Sequence, residues 1–271
     1  MTALEVDGLV VRYGRDEVVS DVSLAVPAGR TLGLVGESGS GKTSLANAAV
    51  GLIRPAAGEI RVDGVSVTAR GAASNVARRR IQMVFQDPFS ALNPQMSVGE
   101  SIAEATRATG RRWSRREKTE RVRELLEQVH LDPARADERP ASFSGGQRQR
   151  ITIARALAGE PSVLIADEVT SALDASVQGT VLNLLREIQQ RLGLAILFIS
   201  HNLAVVRYVS DEICVMRGGR VVEAGPTDQV LEAPDHEYTR ELLAAVPVLG
   251  QRMDLDGAEL RTGDTDPSGS W

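Results

Sequence analysis

Cysteine occurs once in this chain, lysine twice, and aromatic residues are scarce: two Trp, three Tyr and four Phe in 271 residues. The lone Cys214 excludes an internal disulfide or a cysteine-ligated cluster within the chain. It reads as a small apolar residue in a strand. Basic residues are no surplus either. Lys and Arg number 31 against 36 Asp and Glu, a net charge of −5. That balance argues against a general nucleic-acid binder, whose phosphate contacts need a basic surface. Long apolar runs are missing. The most apolar stretch, 194–199, is far too short to span a bilayer. The opening Met1-Thr2-Ala3-Leu4-Glu5 has neither the basic start nor the apolar middle of a signal peptide. The expectation is a cytosolic chain, with any membrane crossing left to other subunits. What is present is ordinary for a globular protein, 42% apolar and 25% charged. The length allows one large domain or two small ones.

Residues 1–85 are dominated by short apolar runs at 4–13, 18–26, 31–35, 59–62 and 81–85. Turn signals such as Asp7-Gly8, Pro27-Ala28-Gly29 and Asp63-Gly64 divide them. This reads as strands and hairpins interrupted by one helix over 42–50, closed by Gly51 and Pro55. Residues 88–160 read as helices. Ser97 with Glu100 and Ser114 with Glu117 have capping-box spacing, and Val122, Leu125, Leu126 and Val129 follow helical spacing. An α/β pattern then returns: a strand at 162–166, a helix at 175–191, a strand at 194–200, and a pair of edge strands at 211–216 and 220–223. Beyond Val248 the composition of Gly, Asp, Ser and Thr predicts a disordered tail, 248–271. No internal repeat is visible.

The most specific string is Gly36-Glu37-Ser38-Gly39-Ser40-Gly41-Lys42-Thr43, which fits G-x-x-x-x-G-K-[ST]. It follows an apolar strand and opens a helix, as phosphate binding demands. Gly36, Gly39 and Gly41 let the backbone wrap round phosphate oxygens with successive N–H groups pointing inward. The helix N-terminus adds positive potential. Lys42 can reach the β- and γ-phosphates, and the Thr43 hydroxyl can ligate Mg²⁺. Such a loop needs a carboxylate on a neighbouring buried strand. The stretch from Ser162 to Glu168 supplies two acids at a strand's carboxyl end, where ligands bind in open α/β sheets. Asp167 is the candidate metal ligand and Glu168 the candidate base for the attacking water. Read alone, Asp-Glu after a strand is also an ordinary helix-start cap. A second anion site is suggested by Ser144-Gly145-Gly146-Gln147 ahead of a helix bearing Ile151, Ala154 and Leu157. The plain alternative is an N-cap serine with a glycine turn.

With these motifs in this order, the chain resembles the ATP-binding subunit of ATP-binding-cassette (ABC) transporters from about Leu4 to Val246. Ser144, Gly145, Gly146 and Gln147 resemble that family's signature motif, Gln86 its Q-loop glutamine, Asp174 in Ser171-Ala172-Leu173-Asp174 its D-loop, and His201 its switch histidine. Tyr13 stands where the family places an aromatic residue against adenine, and Ser44 closes the ATP-binding stretch. A narrower likeness, to the oligopeptide/dipeptide/nickel importer subfamily, lies in Val84-Phe85-Gln86-Asp87-Pro88 and in His236-Glu237-Tyr238-Thr239-Arg240.

The resemblance implies one ABC ATPase domain over 1–247. It would be a three-layer α/β P-loop NTPase core with an antiparallel β-subdomain, a helical subdomain at about 88–160 and an importer-type extension at about 225–247. It implies ATP with Mg²⁺ held by Thr43, Gln86 and Asp167, and hydrolysis using Glu168, His201 and Gln86. Two subunits would pair head to tail, each lending its signature motif to the other's ATP. The implied partners are two transmembrane permease subunits, a second ABC ATPase (identical or a paralogue) and, indirectly, an extracytoplasmic substrate-binding protein. No nucleic acid is implied, and the implied place is the cytoplasmic face of the membrane. The rival readings are an exporter ATPase for drugs or lipids and, further off, an ABC protein acting on nucleic acid. Three residues depart from the family pattern: Val169 where proline is usual, Phe143 for leucine, and Asn202 for aspartate. With Cys214 alone, the cysteine-rich cluster that many subfamily members carry near the C-terminus cannot form.

Overall fold

Along β1 (Thr2–Tyr13) and β2 (Asp16–Pro27) buried and exposed residues alternate, so each strand offers one apolar face. The two pair antiparallel, and β1 also pairs with the later β4 (Ala57–Val62). With the short β5 (Val65–Ser66) they form an antiparallel sheet in the order β2-β1-β4-β5. The computed structural model describes residues 1–245. The tail expected at 248–271, with the last residues of the expected extension, lies outside the described residues.

Between these strands come β3 (Thr31–Val35) and α1 (Lys42–Ala49). After β5 follow α2 (Ala72–Arg79), β6 (Ile81–Val84) and a helical stretch of α3 (Pro88–Ala91), α4 (Val98–Ala105), α5 (Arg115–Gln128) and α6 (Gly145–Leu157). Both expected capping boxes are present, at Ser97 with Glu100 and at Ser114 with Glu117. The chain ends β7 (Val163–Asp167), α7 (Ala175–Leu192), β8 (Ala195–Ile199), α8 (Leu203–Val209), β9 (Glu212–Arg217), β10 (Arg220–Pro226), α9 (Thr227–Glu232) and α10 (Glu237–Ala244).

The second sheet runs β10-β9-β3-β8-β7-β6. Its five strands from β9 to β6 are parallel, and β10 joins antiparallel. Alternate residues of the central strands feed two cores. Leu32, Leu34, Val163, Ile165, Leu197 and Ile199 pack with the antiparallel sheet and α1. Leu164, Ala166, Ile196, Phe198, Ile213 and Val215 pack with the helices on the other side. A parallel sheet covered on both faces is the three-layer α/β arrangement that the family resemblance implies.

Two expectations need correction. More than one helix interrupts the first 85 residues, because α2 is there as well. It buries only Ser74 and Ala77 and so carries no apolar stripe for periodicity to detect. The strand expected at 211–216 does not lie at an edge: β9 is inserted beside β3, buried on both faces. Its continuous run Ile213-Cys214-Val215-Met216 is the signature of such a strand.

Candidate nucleotide site

Because β3, β8, β7 and β6 are neighbours and parallel, the segments leaving their carboxyl ends meet along one edge of the sheet. The phosphate loop leaves β3, Asp167 ends β7 with Glu168 next, His201 follows β8, and Gln86 follows β6. The loop's three glycines all have positive φ: 148° at Gly36, 81° at Gly39 and 102° at Gly41. At Gly36 and Gly41 space forbids a side chain too. A Cβ on Gly36 would lie 2.1 Å from the Met216 carbonyl oxygen, and one on Gly41 2.5 Å from that of Val18.

Lys42 is buried and its ammonium donates into the loop itself. It bonds the carbonyls of Gly36 at 2.7 Å and Glu37 at 2.8 Å, and Ser40 Oγ at 3.2 Å. Burial lowers its pKa, opposed by the carboxylates of Glu168, Asp167 and Glu37. Asp167 is buried as well. Burial pushes its carboxyl above the ordinary value, a hydrogen bond from Thr43 opposes that, Glu168 adds to the rise and Lys42 counters it. Its Oδ1 has no hydrogen-bond partner. A buried carboxylate oxygen left unpaired is costly, and the same carboxyl group accepts from the Thr43 hydroxyl. The pair suits a hard divalent cation with oxygen ligands.

No helix starts at Asp167-Glu168, since α7 begins only at Ala175. Instead Glu168 adopts a left-handed backbone, φ 47°, and its N–H donates to the Ile199 carbonyl at 2.9 Å. Its Oε1 lies 3.1 Å from His201 Nδ1. Ser171 Oγ donates to the Glu168 carbonyl at 2.9 Å and holds the turn that follows. Tyr13 is half-exposed at the end of β1 and outside the core, and Gln86 is exposed. Glu37, Ser38, Gly39 and Thr43 are exposed along the loop, while Ser44 is half-buried and Ser40 buried.

The Ser144 segment is built differently. Ser144 caps α6 in a full capping box: its Oγ accepts from Gln147 N at 3.4 Å, and Gln147 Oε1 accepts from Ser144 N at 3.0 Å. Its neighbours belong to the segment around α7. A Cβ on Gly146 would meet Val177 Cγ1 at 2.3 Å, whereas one on Gly145 finds only Leu173 Cδ2 at 3.7 Å. Asp174 is the N-cap residue of α7 and makes no side-chain cap bond. Among the described residues no hydrogen bond joins the Ser144 segment to the phosphate loop. The structure thus gathers the loop, Asp167, Glu168 and His201 into one site and leaves Ser144, Gly145, Gly146 and Gln147 outside it.

The departures from the family pattern keep their local roles. Asn202 caps α8, its Oδ1 accepting from Ala204 N at 3.0 Å and Val205 N at 3.3 Å. Phe143 is buried under the Arg135 guanidinium, 4.1 Å from the ring centre, and Val169 is buried in the helical core. One contact had no sequence signal. The Glu37 N–H donates to the Tyr238 hydroxyl at 3.0 Å, across 201 residues of chain.

A glycine loop running from a parallel strand into a helix, with a buried acid on a nearby strand end, defines the class of P-loop nucleotide-binding proteins. Comparison narrows this. The ABC transporter family model matches residues 19–171, and that of the oligopeptide/dipeptide transporter C-terminal region matches 222–267. A Brucella ovis protein named as a peptide import ATP-binding protein is 46% identical over 249 residues, 90% of this chain and 78% of that one. The oligopeptide transport ATP-binding protein OppF of Bacillus subtilis is 43% identical over 267 residues, 94% of this chain and 88% of its own. Among solved structures, cbiO1 of Clostridium perfringens, part of an ABC transporter complex, superposes with a TM-score of 0.77 at 28% identity. That match covers 91% of this chain and 96% of cbiO1. The chain belongs to the ABC transporter family. It is an ATP-binding subunit of that family, an ATPase working on ATP with Mg²⁺. Among the described residues no helix is long and apolar enough to cross a membrane.

Proposed function

We propose that this chain is the ATPase subunit of an importer for peptides, working at the cytoplasmic face of the membrane. The match of 222–267 to the transporter C-terminal region and the names of its relatives support import of peptides over drug or lipid export. Two permease subunits span the bilayer, an extracytoplasmic binding protein feeds them, and a second ABC ATPase completes the motor. A cleft of about 580 Å³ between β6 and the helical subdomain, lined by Gln82, Phe85, Glu104, Ala105 and Arg155, offers the permeases a seat with the exposed Phe85 at its rim.

The observation that carries the reading is the unpaired, buried Asp167 Oδ1 beside the loop, with the Glu168–His201 pair next to it. In this reading the amides of 39–44 cradle the phosphates. The Lys42 ammonium exchanges its loop carbonyls for phosphate oxygens, a low-cost exchange because it is already desolvated. Tyr13 lies against the adenine. Thr43, Asp167 and Gln86 would hold Mg²⁺, which when bound would neutralise charge on the transferring phosphate. Glu168 takes the proton of the attacking water while His201 holds its carboxylate in position. Ser144, Gly145, Gly146 and Gln147 meet the γ-phosphate of the partner subunit's ATP, and Asp174 faces the partner across the pair. Binding closes the two subunits, hydrolysis reopens them, and Gln86 passes the motion to the helical subdomain.

Glu168→Gln tests this. It keeps shape and hydrogen bonding but removes most of the basicity. Hydrolysis should fall about 10²- to 10⁴-fold, ATP binding should persist, and chromatography with ATP and Mg²⁺ should give a lasting dimer. A wild-type hydrolysis rate would overturn the assignment of the base. For the substrate, peptide uptake by vesicles carrying the whole transporter is the measure, and outward transport would refute it.

A further inference from the structure

Glu37 is gripped at both ends of its backbone. Its carbonyl accepts from the Lys42 ammonium at 2.8 Å, and its N–H donates to the Tyr238 hydroxyl at 3.0 Å. Tyr238 comes from α10, near the far end of the described chain. Only 1% of it is exposed, and it is one of the largest fully buried side chains. A buried phenol with a defined partner is an anchored one.

The anchoring is built on several sides. The Arg217 guanidinium, at the end of β9, stacks over the Tyr238 ring at 4.5 Å and also lies 3.9 Å from the Glu241 carboxylate of α10. The start of α10 is fixed by His236 Nδ1, which accepts from the Tyr238 N–H at 3.1 Å. The segment before it is tied to β10: the Glu223 carboxylate accepts from the N–H groups of Asp235 at 2.8 Å and His236 at 3.2 Å. The loop leans on the same strand as Arg217, since Gly36 packs against the Met216 carbonyl too closely for any side chain.

We infer that Tyr238 is a positioning residue for nucleotide binding, tying the C-terminal segment to the second residue of the phosphate loop. This rests on the reading of that loop as the nucleotide site. The physical reason lies in what Lys42 must do. When phosphate oxygens draw the ammonium off the Glu37 carbonyl, the loop loses one of the two bonds that hold Glu37, and the phenol is the one that stays. Without it, the loop binds phosphate from a broader set of backbone shapes and spends binding energy narrowing them. The coupling is reciprocal: nucleotide that orders the loop also steadies α10.

The test uses the full chain and MgADP, which is not consumed. In the wild type, MgADP should slow hydrogen exchange in residues 36–41 and also in 237–244, which meets the loop at the Glu37 N–H. Tyr238→Phe keeps the ring under Arg217 and removes only the hydroxyl. Its Kd for MgADP should rise about 3- to 10-fold, the range expected for one net hydrogen bond. At saturating MgADP the protection of 237–244 should vanish while that of 36–41 remains. A purely structural tyrosine would instead lower protection of α10 in the nucleotide-free protein and leave the nucleotide-dependent change intact. The inference is overturned if the variant's Kd stays within twofold of wild type, or if wild-type 237–244 shows no response to MgADP. Should the wild type fail to bind MgADP at all, the nucleotide-site reading itself falls. Measuring wild-type affinity first keeps the two failures apart.

Discussion

Two helices of this protein begin on glycine-rich turns, and they begin differently. At α1, Gly41 in left-handed backbone leads straight into Lys42, and no side chain caps the free N–H groups. At α6, Ser144 and Gln147 satisfy each other's backbone in a closed capping box. The first turn of a helix leaves four donors without intrahelical partners. At α1 no side chain takes them, and around them the chain gathers a buried ammonium and an unpaired carboxylate oxygen. At α6 the chain satisfies part of the need itself. The lesson is that equivalent-looking glycine turns can be told apart by whether their own sequence completes them. In the function proposed above, one is a site within the chain and the other a surface offered to the ATP of a second subunit.

The largest effect should come from emptying the first region. Lys42→Ala removes the buried ammonium proposed to meet the β- and γ-phosphates and should abolish ATP binding, read by calorimetry. Retained affinity would break the contrast at once. Asp167→Asn should keep some nucleotide binding while hydrolysis falls sharply, because the group proposed to hold Mg²⁺ loses its charge. Titrating Mg²⁺ at fixed ATP should show the rise in metal requirement.

The second region should respond in the opposite manner. Gly145→Asp finds room in the subunit, where its Cβ meets only ordinary contact with Leu173. Monomer ATP affinity should therefore hold while ATP-driven pairing disappears, through like-charge repulsion at a partly desolvated phosphate. Light scattering with and without ATP measures it. A monomer that loses ATP binding would show that α6 serves its own nucleotide. Gly146→Ala sharpens the point, because its Cβ would press on Val177. Overpacking should cost about 1–3 kcal/mol of stability, seen in urea unfolding. Ser144→Ala should cost about 1 kcal/mol through the lost cap, the smallest change of the series.

Much of the nucleotide site was legible in the sequence because its parts are local. The run from Gly36 to Thr43 carries its own strand, turn and helix signals within a dozen residues. Asp167 and Glu168 stand at the end of an apolar run, and the capping boxes at Ser97 and Ser114 follow from spacing alone. Even the departure at Asn202 was local: an asparagine caps α8 as well as an aspartate does. Less was legible where no apolar stripe exists, as in α2, or where a reading stops at strand existence, as for β9.

The amino-acid sequence by itself determined the chemistry available: one loop of phosphate-binding glycines with its lysine and threonine, one acid pair, and one histidine after a strand. Only the tertiary structure decided which of these meet. Strand order comes from crossovers between distant segments, and periodicity carries no information on it. So the adjacency of β3, β8 and β7, which sets Glu168 3.1 Å from His201, had to be seen. The same holds for Tyr238 beneath Glu37, 201 residues away. A buried hydroxyl and a loop amide each need a partner, and the fold supplies them to each other from opposite ends of the chain.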